Sequence, residues 1–341
     1  MLYYRRSDKV TNISYVIYVK NSRQEFDMNK VTIIGAGRVG STIAYTLAVQ
    51  GLASEIVMID INTSRAEGEA VDIRQGTPYC NPCQIYAGDY GDARGSNIVI
   101  ITSGIARKPG QTRIDLAQTN VNIMKSIIPR ITKAAPDAYY IVVSNPVDIL
   151  TYTLCKYSGL PESRLIGSGT ILDTARLRAR LSEQYKINTR NIHAYVLGEH
   201  GESSFIPWSL VNISNVPIKE YRNSFNNGGL GYGELDIDEI DRYVKNSGAY
   251  IIERKAATYY AIATSTTHIC KCLLSGIDTT LTVSTMCNGE YGIDNVCISL
   301  LNIVGHDGAH SKVLPKFTDE ELTALQRSVG VLKDVIKALK I

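Results

Sequence analysis

The chain has 341 residues, of which 44% are hydrophobic and 20% are charged, values typical of a soluble globular protein of about two domains. Its formal net charge of +3 is too small to indicate a nucleic-acid-binding surface. No apolar run approaches the roughly twenty residues that a membrane-spanning helix needs. We therefore expect neither a nucleic-acid nor a membrane partner.

The seven cysteines are odd in number and widely spread, which favours reduced thiols in a cytoplasmic protein. Cys80 and Cys83 form a CxxC motif, and Cys270 and Cys272 form a CxC motif. A zinc site would need two matched pairs or additional histidines, so no metal is expected. A redox role for the CxxC motif stays open as an alternative.

Residues 1–27 differ from the rest of the chain. They are polar, with five basic and three acidic residues, and lack the apolar core of a secretory signal. Met28 stands just before the first strand. One hypothesis is that Met28 is the natural start; the other is an N-terminal arm that grips a neighbouring subunit. The intact mass of the native protein distinguishes them.

From residue 30 onward, short apolar runs alternate with segments of helical periodicity. The pattern predicts strands at 30–34, 55–59, 84–87, 97–102 and 138–143, and helices at 38–50, 63–75 and about 114–134. Continuous apolar strands separated by helices indicate a parallel sheet covered on both faces. The predicted fold is a Rossmann-type doubly wound α/β domain over residues 28–167.

After about residue 167 the pattern changes. A helix is expected at 171–186, followed by strands around 193–197, 280–286 and 295–304, with a hairpin turn at 288–292. The closing helix starts at Thr318, and Glu321 completes a capping box. We predict that residues 168–341 form an α+β substrate-binding and catalytic domain.

The segment Gly35-Ala36-Gly37-Arg38-Val39-Gly40 follows a strand and opens a helix, the context of a dinucleotide fingerprint. Gly35 makes the tight turn, Gly37 lets the backbone approach a pyrophosphate, and Gly40 allows close helix packing. Asp60 ends the next strand and can accept hydrogen bonds from the adenosine ribose. Its charge would repel a 2′-phosphate, so NAD is preferred to NADP. The alternative is a tight turn without a ligand.

A long loop, residues 103–113, follows the fourth strand, where ligands of such sheets bind. Gly104 and Gly110 can serve as pivots of a lid, and the loop carries Arg107, Lys108 and Arg113. A solvated basic loop is the simpler interpretation of this segment taken alone.

Asp173 and Arg176 share one helix face, and His200 follows in Gly198-Glu199-His200-Gly201. An acid that orients an imidazole, an arginine for a carboxylate and a histidine that moves a proton predict an acid–base site for a small oxyacid. A buried core histidine is the alternative for His200 alone.

Several motifs resemble those of the lactate/malate dehydrogenase family, and the resemblance runs from about Met28 to the C-terminus. They are residues 34–40 (IGAGRVG), 107–113 (RKPGQTR), 144–148 (SNPVD), 167–173 (GSGTILD) and 198–201 (GEHG).

The resemblance implies an NAD-dependent enzyme that reversibly reduces pyruvate to (S)-lactate. It makes His200 the proton donor, with Asp173 favouring its charged form, Arg176 holding the substrate carboxylate and Arg113 polarising the carbonyl. The implied substrate-binding residues are Arg107, Arg113, Asn145, Arg176 and Thr258. The implied cofactor-binding residues are Gly35, Gly37, Val39, Gly40, Asp60, Arg65, Asn145 and Ile262.

Two alternatives to this activity stay open. By the resemblance, Arg107 occupies the specificity position, where malate-specific members have an arginine that pairs with a second carboxylate of the substrate. Glu199, Thr258 and the segment 169–173 are instead similar to lactate-specific members. A dinucleotide-binding scaffold without turnover would keep the glycines and lose the catalytic groups.

Arg178 lies two residues past Arg176, about 200° around the helix, so the two can face different ways. The resemblance implies that Arg178 and His193 bind fructose 1,6-bisphosphate as an allosteric activator at a subunit interface of a homotetramer. Two ordinary surface residues are the alternative.

Overall fold

The computed structural model describes residues 29–105, 110, 112–225 and 234–341. The predictions for residues 1–27, Met28, Arg107 and Lys108 lie outside the described residues.

The elements of the first half alternate between strands and helices. They are β1 (Lys30–Ile34), α1 (Arg38–Gln50), β2 (Glu55–Ile59), α2 (Thr63–Gly76), β3 (Gln84–Ala87), β4 (Ile98–Ile101), α3 (Arg113–Ala134), β5 (Tyr139–Val142), α4 (Val147–Tyr157) and β6 (Leu165–Gly167).

The second half mixes longer helices with antiparallel strands. Its elements are α5 (Ile171–Tyr185), β7 (Ile192–His193), β8 (Asn212–Ile213), β9 (Val216–Pro217), α6 (Ile218–Tyr221), α7 (Ile237–Lys255), α8 (Tyr260–Leu274), β10 (Thr279–Asn288), β11 (Asp294–Gly305), β12 (Gly308–Val313) and α9 (Asp319–Ala338).

A large sheet runs through both halves of the described chain in the order β12-β11-β10-β6-β5-β4-β1-β2-β3. The strands from β6 to β3 are parallel, and the order reverses between β4 and β1. This confirms the Rossmann-type doubly wound sheet. Strands β10, β11 and β12 extend it in antiparallel fashion through the pair Ser284 and Gly167. The α+β second half is therefore continuous with the sheet of the first.

Helices cover both faces of the parallel strands, and β4 shows why. Its side chains are fully buried: Val99 and Ile101 pack in the cluster that includes α3, whereas Ile98 and Ile100 pack in the cluster that includes α1. A strand buried on both faces needs a continuous apolar sequence. The apolar run read from the sequence therefore places the parallel sheet correctly.

Three local features of the second half can be compared with the predictions made from the sequence. The predicted hairpin turn joins β10 to β11, and the Thr318 side chain accepts from the Glu321 amide in the predicted capping box. The strand predicted at 193–197 is wrong, because β7 ends at His193. Beyond it, Leu197 pairs only in an isolated bridge and Gly198 adopts φ +96°, which turns the chain into a loop.

Within the described ranges, no helix is long and apolar enough to span a membrane.

Candidate active site

The glycine turn, residues 35–40, connects β1 to α1 at the point where the strand order reverses. Gly35 has φ +110°, and a Cβ there would lie 2.6 Å from Thr102 Oγ1. A Cβ on Gly40 would lie 1.9 Å from the Gly35 carbonyl oxygen. Packing alone therefore requires both glycines.

Gly37 differs from its two neighbours in the turn. It is the N-cap residue of α1 in an extended conformation, and a Cβ there would meet nothing within 4 Å. Open space over a helix N-terminus lets an anionic group reach the free amides of the first turn. The turn thus fits the pyrophosphate of a dinucleotide.

Asp60 links the glycine turn to the end of β2. Its carboxylate accepts from the backbone N–H of Ala36 at 2.7 Å and of Asn62 at 2.9 Å, and it borders a cavity of about 430 Å³. A carboxylate has about four acceptor positions, so it can still accept from a ribose hydroxyl.

The other predicted cofactor residues lie on three elements. Val39 on α1 and Ile262 on α8 are partly buried against the same apolar cluster, because α1 packs on α8. Arg65 is exposed on α2, where its backbone N–H is capped by Asn62. Asn145 is exposed beyond the end of β5.

The structure brings His200, Asp173 and Arg176 together around one carboxylate. His200 Nδ1 lies 2.7 Å from Asp173 Oδ2, and Arg176 Nη1 donates to Asp173 Oδ1 at 2.9 Å. The side chain of His200 is 27% exposed, against 9% for Asp173 and 13% for Arg176. The imidazole is thus the most accessible of three connected groups, as a proton donor to substrate must be.

The charges of this cluster reinforce one another. Burial works against a charged imidazole, but the Asp173 carboxylate outweighs it and raises the pKa of His200 above its ordinary value. Burial would likewise raise the pKa of Asp173, but His200 and Arg176 hold it below its ordinary value. An imidazolium beside a carboxylate is therefore the favoured pair.

Three successive backbone amides anchor the histidine loop, residues 198–201. The amide of Gly198 donates to the Ser299 carbonyl at 3.0 Å. The next two donate to side chains: Glu199 N to Ser328 Oγ at 2.7 Å, and His200 N to Asp148 Oδ2 at 2.8 Å.

The loop predicted to be a lid, residues 103–113, is described at residues 103–105, 110, 112 and 113. At one end, the buried Asn120 side chain accepts from the Ile105 amide at 2.9 Å and donates to the Asn145 carbonyl at 2.8 Å. At the other, Arg113 begins α3 and its Nη2 lies 2.6 Å from Glu202 Oε1. The structure thus brings Arg113 to the residue two places beyond His200, in an ion pair that the sequence does not predict.

Helix α7 and the linker after it form the remaining side of the site. Thr258 lies half-buried in that linker. A Cβ on Gly248 of α7 would lie 3.6 Å from Arg176 Nη2. The guanidinium therefore lies against this part of α7.

Arg178 and His193 lie apart from the catalytic cluster. Arg178 borders a cavity of about 590 Å³ with Tyr195 and His268, whereas His193 is exposed on β7. Within the described ranges Arg178 contacts the Ala194 carbonyl and the Tyr195 ring but forms no ion pair. Burial lowers the pKa of Arg178 below its ordinary value, so an anion in the cavity would be favoured there.

Several residues that hold the site were not predicted. They are Asn120, Asp148, Glu202, Ser299 and Ser328. Asp148 stands inside the SNPVD motif, so its position beyond a parallel strand was a usable signal. Glu202 is two residues from His200, but its ion pair joins it to Arg113, 89 residues away. Asn120, Ser299 and Ser328 contact the site from distant segments, as Ser328 does across 129 residues, and the local pattern gives no sign of them.

Comparison with known proteins agrees with this geometry. Residues 29–167 match the family described as lactate/malate dehydrogenase, NAD binding domain, and residues 170–340 match its alpha/beta C-terminal domain. The chain belongs to the lactate/malate dehydrogenase family. Its first half is therefore an NAD-binding domain.

Individual members of the family are similar over nearly the whole chain. L-lactate dehydrogenase of Acetivibrio thermocellus is 46% identical over 314 residues, which are 92% of this chain and 98% of that protein. A Thermoanaerobacter pseudethanolicus L-lactate dehydrogenase is also 46% identical over 314 residues, covering 92% and 100%. The solved structure of a minor L-lactate dehydrogenase from Enterococcus mundtii superimposes with a TM-score of 0.86 at 40% identity, covering 91% and 98%.

Proposed function

We propose that this protein is an NAD-dependent L-lactate dehydrogenase that reversibly reduces pyruvate to (S)-lactate. The observation that carries the proposal is the joined cluster of His200, Asp173 and Arg176, with the Asp173 carboxylate within 2.9 Å of both partners. The names of the similar proteins support the same substrate. Residues 28–167 would carry the cofactor, and residues 168–341 most of the catalytic groups.

Each group has a role that its position supports. Bound NADH would supply a hydride to the carbonyl carbon of pyruvate, so that negative charge grows on the carbonyl oxygen. Protonated His200 donates a proton to that oxygen, while Asp173 keeps the imidazole charged and oriented. Arg176 holds the substrate carboxylate through guanidinium nitrogens left free by Asp173.

Arg113 would act at the same oxygen once the lid closes. A cation placed where charge develops stabilises the transition state most in a site from which water is excluded. Asn145, beyond β5, would hydrogen-bond the substrate oxygen or the cofactor side of the pocket. Thr258 and Ile262 would line the substrate and nicotinamide space.

The test is the isosteric substitution His200→Asn, followed by loss of NADH absorbance with pyruvate. General acid catalysis contributes about 10²–10⁴-fold, so kcat should fall by that factor while NADH still binds. His306→Asn is the matched control, because His306 is 83% exposed and outside the cluster. A folded His200→Asn enzyme with most of its turnover would disprove the role. A parent enzyme that binds NADH but never oxidises it would instead support the scaffold alternative.

Lactate rather than malate is the favoured pair of substrates, because Glu199 and Thr258 are similar to lactate-specific members. Arg107 is the opposing feature, since an arginine facing the methyl group of pyruvate would be an unpaired charge in a closed site. The ratio of kcat/KM for pyruvate over oxaloacetate measures the preference. A tenfold advantage for oxaloacetate would reverse the assignment.

We also propose that Arg178 and His193 bind fructose 1,6-bisphosphate as an activator. The supporting observation is the half-buried guanidinium of Arg178, which borders a cavity and has no carboxylate partner in the described chain. The effector should lower the pyruvate KM of the parent and leave that of Arg178→Gln unchanged. An unchanged KM of the parent at saturating effector would end this proposal.

A cytoplasmic homotetramer is the proposed form of the enzyme. Helices α1 and α8 pack together and expose the large side chains of Tyr45, Val49 and Tyr260 at 56%, 48% and 66%, apolar surface that an interface between subunits would remove from water. All seven cysteines are free, as in a reducing compartment. Light scattering should give the mass of four chains.

A further inference from the structure

Asp148 is the second residue of α4 and is only 3% exposed. Its Oδ2 accepts from the backbone N–H of His200 at 2.8 Å. Its Oδ1 is buried and, among the described residues, has no hydrogen-bond partner. A buried carboxylate with one bare oxygen is costly, so its position next to the proposed proton donor needs an explanation.

The two amides that precede His200 show that a charge is not needed to anchor this loop. Gly198 N is held by a backbone carbonyl and Glu199 N by the Ser328 hydroxyl. Both acceptors are neutral. An aspartate at the third anchor therefore does something that a neutral acceptor would not do.

The groups around Asp148 indicate what the charge of this aspartate does. The titratable groups that face it are His200 and Glu199 of the histidine loop and Cys297 of β11. The Ser284 hydroxyl of β10 also lies beside the carboxyl and lowers its pKa, although outside hydrogen-bonding geometry. His200 is the one cation among these groups, and both its backbone N–H and its imidazolium charge lower the pKa of the Asp148 carboxyl, so a charged imidazole favours the carboxylate.

We propose that Asp148 is a second positioning carboxylate for His200, which fixes the backbone of the histidine loop and, together with Asp173, stabilises the charged imidazole. The inference rests on the proposed role of His200 as the proton donor. Asp148 acts through His200 and does not itself contact the substrate.

Burial raises the pKa of Asp148 to about 6, which sets the pH range of the effect. Above that pH the carboxylate is charged and favours the imidazolium, and its charge raises the pKa of His200 in addition to the larger effect of Asp173. The contribution of Asp148 should therefore appear on the alkaline side of the activity profile.

The decisive variant is Asp148→Asn, whose amide oxygen can still accept from His200 N. We expect the alkaline fall in kcat/KM for pyruvate to move to lower pH by about half a unit to one unit, because an opposite charge has been removed. The acid limb for lactate oxidation should move the same way. An NMR titration of carbon-13-labelled histidine, with the His200 signal identified by its loss in His200→Asn, should show the same shift without depending on turnover.

Ser328→Ala is the matched control, because it removes the neutral anchor one residue earlier in the loop. It should lower kcat/KM without moving the titration of His200. An equal shift in Ser328→Ala would mean that loop displacement, and not charge, is responsible, and would overturn the proposal. An unshifted His200 signal in Asp148→Asn would overturn it as well.

Stability should not confuse the result. Since burial raises the pKa of Asp148, the charged carboxylate destabilises the fold above about pH 6, and a neutral side chain avoids that penalty. Asp148→Asn should therefore have a Tm at pH 7 no lower than that of the parent. If it fails to fold, Asp148→Ser offers a neutral hydroxyl like that of Ser328 and should give the same shift. If His200 is not the proton donor, the His200→Asn enzyme would retain its turnover, which distinguishes that outcome from failure of the Asp148 proposal.

Discussion

The glycine turn and the histidine loop are both short irregular segments beside the central sheet, but they are built in different ways. The glycine turn depends on backbone shape: Gly35 and Gly40 leave no room for a side chain, and the space above Gly37 is open. The histidine loop depends on buried charges: the Asp173 carboxylate contacts the imidazole of His200, and the Asp148 carboxylate accepts from the backbone N–H of the same residue. The first is sensitive to an added methyl group, and the second to the loss of a charge.

Asp173→Asn should lower activity more than an added methyl group in the glycine turn would. The amide keeps the shape of the carboxylate but cannot stabilise an imidazolium, so kcat for pyruvate should fall by about 10²–10⁴-fold. In the proposed mechanism pyruvate reduction needs charged His200, so it should decline as pH rises through the raised pKa of that residue. In the variant this decline should move to lower pH, and the acid limb of lactate oxidation should move in the same direction. NADH binding should be unaffected.

Asp334→Asn is the control for that experiment, because Asp334 is an exposed carboxylate on α9 whose ion pair to Lys337 is 3.8 Å long. It should behave like the parent. A loss of less than tenfold in folded Asp173→Asn would show that the histidine loop does not depend on this charge.

The same substitution at two positions of the glycine turn should give a smaller but sharper result. Gly40→Ala forces a methyl group against the Gly35 carbonyl and should destabilise the fold by about 1–3 kcal/mol. Gly37→Ala meets no protein atom, so its Tm should change little, whereas its Kd for NADH should rise by about tenfold if the pyrophosphate lies there.

Thermal unfolding and NADH titration of both variants provide the test. If Gly37→Ala bound NADH like the parent, the open space above the turn would not be the pyrophosphate position. A Gly40→Ala protein of parental stability would contradict the packing role.

The sequence identifies these two regions unequally well. The glycine turn follows from local pattern, since a strand, three glycines and a helix adjoin one another. The histidine loop is predicted only in its reacting groups, because Asp148 and Ser328 reach it from segments 52 and 129 residues away. Separations of that kind leave no periodic signal.

Two helices that support the site were also missed for physical reasons. Helix α8 contains Thr264, Ser265, Thr266 and Thr267, residue types that favour caps and turns over helix interiors. Helix α7 buries only Ile240 and Val244 along its 19 residues. Tertiary packing therefore determines both helices more than local propensity does.

Glu202→Gln should have the smallest effect and bears on the lid that completes the histidine loop. In the proposed mechanism Arg113 acts on the substrate, which requires it to leave Glu202. Both side chains are largely exposed, at 73% and 79%. Removing the carboxylate should therefore raise kcat/KM for pyruvate, mainly through KM, but by less than about fivefold because exposed ion pairs contribute little. Added salt should raise kcat/KM of the parent toward that of the variant. Glu253→Gln, which breaks an exposed pair with Arg254 on α7, should leave the kinetics unchanged. A decrease in kcat/KM of Glu202→Gln would instead mean that Glu202 holds Arg113 where catalysis needs it.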